Sequence, residues 1–209
     1  YYGYAPHFTS LATVEEEYNR CLASVSRMRD LLHQSRQWLE PSTRISMDEW
    51  NVWYAWYRPS SVTDGIYAAL ALHMLMEEAE KSGVALACHF QAVNEGMMCV
   101  KPDRVTLTAQ GQVFSRMNRW HMGNRLCSAS QEAVVTADRE GRVSATVVNA
   151  AFRSEKPVDF SAFGPCSEAV LLFSDTVLPP SSFTQSNVLD QAAGGTLQMP
   201  PHSVLFLRF

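Results

Sequence analysis

From Thr13 to Trp38 the apolar positions Val14, Tyr18, Cys21, Leu22, Val25, Met28, Leu31 and Leu32 recur every three or four residues. That spacing lays one stripe of an α-helix against a core. Pro41 cannot continue a helix and closes this one. Between Thr43 and Val52 the pattern shortens: Ile45, Met47 and Val52 form a run of strand length after a turn, which suits a strand buried on both faces with its end at Glu49. Pro59-Ser60-Ser61 then breaks the chain. Asp64 can cap a second helix running to about Lys81, in which Ile66 to Met76 is apolar nearly all round, as in a helix packed on both sides. Gly83 ends it. Val84 to Val93 is another apolar run of strand length, and Thr106 to Trp120 predicts a further helix containing Val113, Phe114 and Met117.

Helix, strand, helix, strand, helix is the order that gives parallel strands with covering helices, but two such units are too few to close a sheet or a barrel. Further strands are therefore expected on the N-terminal side. After Gly123 the texture changes to short strand-like runs, Ala133–Ala137, Val143–Asn149, Ala169–Ser174 and Ser203–Phe209, separated by Gly, Pro, Ser and Asp. This part reads as a small all-β sandwich. The expected architecture is an α/β part over residues 1–122 followed by an all-β part over residues 123–209.

Composition narrows the function classes. The 209 residues, 46% of them hydrophobic and without a long polar tract, are enough to bury a sizeable core. A net charge of -4 with scattered basic residues leaves no footprint for a phosphate backbone, which sets nucleic acid aside as a partner. The five cysteines, Cys21, Cys88, Cys99, Cys127 and Cys166, lie far apart with no Cys-x-x-Cys pair. Buried free thiols in a reducing, cytoplasmic compartment are the expectation. No apolar run reaches the length of a membrane span, so no membrane partner is expected. Tyr1-Tyr2-Gly3-Tyr4 opens the chain without an initiator Met or a signal region, the start expected of a processed or truncated chain.

Acidic residues at the C-terminal end of a parallel barrel strand point into the mouth where such enzymes work, which singles out Asp48-Glu49. Alternation along a regular strand lets only one of the two face that mouth. Trp50, Trp53, Tyr54, Trp56 and Tyr57 form the densest aromatic cluster of the sequence. Sugars pack their flat C–H faces on such rings while their hydroxyls bond polar groups, with Asn51 the candidate here. On pattern alone an Asp-Glu pair at a strand end is more often a solvated turn, and tryptophans are more often core. The histidines His7, His33, His73, His89, His121 and His202 have no metal-ligand spacing, and no Gly-x-Ser-x-Gly nucleophile elbow occurs. Neither a metal nor a cofactor is expected.

Asp48-Glu49-Trp50-Asn51-Val52-Trp53-Tyr54, after an apolar strand, resembles the seventh-strand motif of the family 51 α-L-arabinofuranosidases. Its glutamate is the nucleophile of that family, which implies this role for Glu49. Tyr1-Tyr2-Gly3 is similar to the tail of the family's His-x-Tyr-Tyr-Gly motif after strand six, whose first tyrosine hydrogen-bonds the nucleophile; that position is Tyr1. Ala87-Cys88-His89-Phe90-Gln91-Ala92-Val93-Asn94 is similar to the eighth-strand segment ending in Gln-x-Val-Asn. The resemblance implies that Gln91 contacts arabinose and that Trp53 lines the aglycone side.

It further implies the C-terminal part of a (β/α)8 TIM barrel followed by a jelly-roll-like β-sandwich, acting on arabinose-containing oligosaccharides or polysaccharides, in a homo-oligomer. The family mechanism is retaining, with two carboxylates about 5–5.5 Å apart. Its acid/base glutamate follows an asparagine at the end of strand four, and nothing in this sequence matches that segment. Asn94-Glu95 is not it, because Asn94 already matches the eighth-strand motif. The alternative expectation is a non-catalytic fragment that binds carbohydrate or a partner chain carrying the rest of the barrel.

Overall fold

The computed structural model describes residues 1–8, 12–52 and 58–209, without the side chains of 127–130. Strand β1 (Tyr2–Gly3) is followed by helix α1 (Val14–Gln37), strand β2 (Ile45–Val52), helix α2 (Val62–Lys81) and strand β3 (Val84–His89). A hairpin of β4 (Met98–Lys101) and β5 (Arg104–Leu107) leads into α3 (Ala109–Trp120). The β-rich remainder runs β6 (Asn124–Ser130), β7 (Ala133–Ala137), β8 (Val143–Asn149), β9 (Lys156–Asp159), β10 (Glu168–Phe173) and β11 (Thr184–Asn187). A short helix α4 (Leu189–Ala192) precedes β12 (Thr196–Met199) and β13 (Ser203–Arg208).

Capping sets where the helices begin. Thr13 closes a capping box with Glu16 and starts α1 one residue inside its predicted span. The cap of α2 is Ser61 and not Asp64: the Asp64 carboxylate reaches back to accept from the Ser61 N–H at 2.7 Å and from its hydroxyl at 3.1 Å. Asp64 is fully buried and pairs with Arg58 at 2.6 Å, so its charge is neutralised inside the fold. Helix α3 starts later than its apolar pattern suggests. Thr108 caps it through Gly111 N–H at 3.1 Å, and Arg104–Leu107 belongs to the β4–β5 hairpin.

Strands β1, β2 and β3 form a parallel sheet in that order. Among the described residues one of its faces is packed and the other is largely exposed. Ile45, Met47, Trp50 and Val52 pack toward the helices, whereas Ser46, Asp48 and Glu49 are exposed, so β2 is not buried on both faces. The strand also continues past Glu49 to Val52. Strand β3 stops at His89 and not at Val93, and the Phe90–Gln91 peptide that follows is cis.

The remaining strands build a six-stranded antiparallel sheet, ordered β11-β10-β13-β8-β7-β6, with a β12–β9 pair beside it. Alternation sorts its side chains: Val148, Val170, Leu172, Val204 and Phe206 join one core with α1, α2 and α3, while Val147, Leu171, Leu205 and Leu207 join a second core with Phe160, Leu197 and Met199. Helix α2 touches α1, α3, β2, β3 and the six-stranded sheet, which explains a sequence apolar nearly all round. Among the described residues no helix is long and apolar enough to cross a membrane.

Candidate active site

The site forms where β2 loses regular pairing. Met47 is opposite Ala87 and Trp50 opposite His89, so three steps along β2 match two along β3. This extra residue is a β-bulge, a device that re-aims side chains. Met47 and Trp50 both pack on the helix side, leaving Asp48 and Glu49 between them and both exposed. The alternation rule that admits only one of the two acids to a face is broken here by the bulge.

Trp50 anchors the helix side. It is 1% exposed, stacks on Phe114 at 5.7 Å between centroids, and meets the His89 ring edge-on at 5.0 Å. Burial among these rings pushes the His89 pKa down to about 4. Asn51 is also buried, and its amide is consumed internally. Its Nδ2 donates to the Phe90 and Glu95 carbonyls, and its Oδ1 accepts from Gln110 Nε2 at 2.7 Å and Val52 N–H at 2.7 Å. Asn51 therefore fastens the turn after β3 to β2 and to α3, and has no group left to offer a sugar hydroxyl.

The tyrosine that reaches Glu49 is Tyr2. Its hydroxyl donates to Glu49 Oε2 at 2.7 Å, and its ring stands edge-on to Phe90 at 6.2 Å. Desolvation and this hydrogen bond push the Tyr2 pKa up to about 12, which keeps it a donor across the physiological range. Tyr1, expected in that role, donates its hydroxyl to the Ser24 carbonyl at 2.7 Å, and only its amine touches Glu49, at the backbone oxygen, 2.6 Å away. The reason is strand alternation. Gly3 faces the helices, where a Cβ would lie 2.6 Å from Ser24 Oγ and 2.8 Å from Tyr67, so Tyr1 shares that side and Tyr2 the other.

Gln91 lies two residues beyond β3, partly exposed, and its side chain makes no hydrogen bond among the described residues. Glu95 is near enough to Tyr2 to raise its pKa together with Glu49. Trp53, with Tyr54, Trp56 and Tyr57, lies outside the described residues. Among the described residues no cluster of three or more His, Cys, Asp or Glu side chains could hold a metal ion. The geometry offers an exposed carboxylate on the C-terminal half of a parallel strand, oriented by a protonated phenol.

No protein family's sequence profile and no protein of curated function matches the chain. Solved structures do match. An α-L-arabinofuranosidase from Thermotoga maritima, in complex with arabinose, superposes with a TM-score of 0.72 at 18% identity over 92% of this chain and 50% of that one. The family 51 arabinofuranosidase of Xanthomonas axonopodis pv. citri gives 0.72 at 18% identity, over 99% and 50%. A family 51 α-L-arabinofuranosidase from Bifidobacterium longum gives 0.74 at 15%, over 99% and 52%. The chain thus has a mixed α/β fold similar to one half of these proteins, consistent with their C-terminal portion, and spans about half their length.

Proposed function

We propose that the chain is the C-terminal part of a retaining α-L-arabinofuranosidase that removes terminal non-reducing α-L-arabinofuranosyl residues from arabinoxylan or arabinan oligosaccharides, with Glu49 as its nucleophile. In this reading β1, β2 and β3 are the last strands of a (β/α)8 barrel within residues 1–122, and residues 123–209 are a jelly-roll-like sandwich. The observation that carries it is the bulge-exposed Glu49 held by Tyr2, in a fold similar to about half the length of solved arabinofuranosidases. A cytoplasmic setting and a homo-oligomer belong to the same proposal.

Chemically, the Tyr2 hydroxyl fixes Oε2 and leaves Oε1 to attack the anomeric carbon. The bond to the leaving oxygen breaks as the new ester forms, and an acid/base carboxylate about 5–5.5 Å away protonates that oxygen before activating the water that hydrolyses the ester. In this proposal the acid/base comes from a strand that this sequence does not match. Gln91 would contact the arabinose, and Trp53 would line the aglycone side.

Hydrolysis of an aryl α-L-arabinofuranoside tests the assignment, because a good leaving group relieves much of the need for the acid. Glu49→Ala is expected to lower turnover by about 10³-fold or more, with azide restoring part of it. Undiminished turnover in the variant would remove Glu49 from this role.

A second reading, a non-catalytic fragment that binds a partner chain, is favoured by one observation. Along β2 and α1 lies a cavity of about 390 Å³ lined in part by Tyr1, Met28, Leu31, Leu32, Ile45 and Met47. Elution as a compact monomer would count against this reading.

A further inference from the structure

A second polar cavity, of about 510 Å³, lies between α3 and the six-stranded sheet and shares no residue with the surroundings of Glu49. Its charged lining is Arg116 and Arg119 from α3, Arg208 from the end of β13, and Glu168 from the start of β10. Three guanidiniums against one carboxylate leave a net charge of +2 (3 - 1 = 2).

The arginines are held in a particular way. Trp120, 6% exposed, has the Arg208 guanidinium 4.7 Å from its ring centroid and that of Arg116 5.8 Å away. A guanidinium resting on an aromatic face keeps the donors along its rim free for an oxyanion. Arg208 also pairs with Glu168 at 3.0 Å. Arg116 and Arg119 have no ion pair or hydrogen bond among the described residues. They stand three residues apart, on neighbouring positions of one helix face. Burial pulls the Arg116 pKa below its ordinary value, Glu168 opposes that, and Arg119 adds to it.

The wall is rigid: Gln112 is bonded both ways to the Phe183 backbone, each bond 2.9 Å, which locks α3 to the approach of β11. A cation in the last turn of α3 is accounted for by the helix dipole, and Arg119 fills that place. The dipole does not account for Arg208, delivered from another element to the same cavity. We propose that this cavity binds a small oxyanion, the phosphate of a phosphate ester or the carboxylate of an acidic sugar, gripped by Arg116 and Arg119 with Arg208 closing one side.

Calorimetric titration of the full chain with inorganic phosphate and, separately, with D-glucuronate tests this. Saturable binding of phosphate alone identifies the phosphate class, and saturable binding of glucuronate identifies the carboxylate class. The double substitution Arg116→Gln with Arg119→Gln is expected to weaken binding by roughly tenfold or more. Glu168→Gln leaves both free arginines in place and removes the competing carboxylate, so it is expected to tighten binding severalfold. It provides an independent measurement should the double variant fail to fold. No saturable heat with either anion, unchanged affinity in the double variant, or unchanged or weaker affinity in Glu168→Gln would overturn the proposal.

Discussion

The two neighbouring tyrosines differ in what they hold. Tyr2 donates to the Glu49 carboxylate and Tyr1 to a helix carbonyl, so the same substitution at the two positions separates chemistry from packing. On the proposed function, Tyr2→Phe is expected to lower kcat/KM on an aryl arabinofuranoside about tenfold, as befits a lost hydrogen bond to a charged group, with little change in Tm. Tyr1→Phe is expected to cost about 1 kcal/mol of stability and to leave turnover nearly unchanged. The reverse result would return Tyr1 to the role the motif implies. The motif made the carboxylate and a tyrosine partner legible, but the choice between tyrosines rests on which strand face Gly3 occupies. The internal role of Asn51 was equally hidden, because its partners Phe90, Glu95 and Gln110 lie 39, 44 and 59 residues away.

At the scale of elements, α3 carries the strongest constraint. A Cβ on Gly111 would lie 1.8 Å from the Met97 carbonyl oxygen, so the turn before the β4–β5 hairpin sits directly on the helix. Alanine is the better helix former by about 1 kcal/mol, yet overpacking against backbone costs about 1–3 kcal/mol. Gly111→Ala is therefore expected to be net destabilising, read as a lower urea midpoint with unchanged slope; a stabilised variant would show that the hairpin yields. Helices α1, α2 and α3 were legible because each buries a long run of apolar positions, whereas the four-residue α4 was not. Strands β7, β8, β10 and β13 were legible because they lie inside the sheet, with runs such as Val204 to Leu207 fully buried. The β4–β5 hairpin and β11 are largely exposed, and β9 and β12 expose alternate residues over only four, so no apolar run announced them. The bulge in β2 escaped as well, since one extra residue leaves no mark on composition.

For the molecule as a whole, three enclosed histidines set the response to acid. Burial lowers the pKa of His73 to about 3 and those of His89 and His121 to about 4, against 6.5 ordinarily. Between those values the unfolded chain binds more protons than the folded one, so stability present above pH 6.5 is lost as pH falls toward 4. The carboxylates with lowered values, such as Glu77 beside Lys81 and Arg29, begin to give up their contribution only near and below 4.5. A fall in Tm of at least about 5 °C between pH 7 and pH 5 is expected; a flat melt profile over that interval would contradict it. The six-stranded sheet faces two interiors, and this bears on anyone who would graft the β-rich part onto another protein. The row Val148, Val170, Leu172, Val204 and Phe206 has its lining supplied by helices that come earlier in the chain. A transplant that starts at Gly123 would carry that row uncovered, a greasy wall inviting copies to stick face to face. The natural seam for such a graft lies upstream of α2, which touches β6, β8 and β13, so that a cover travels with the sheet.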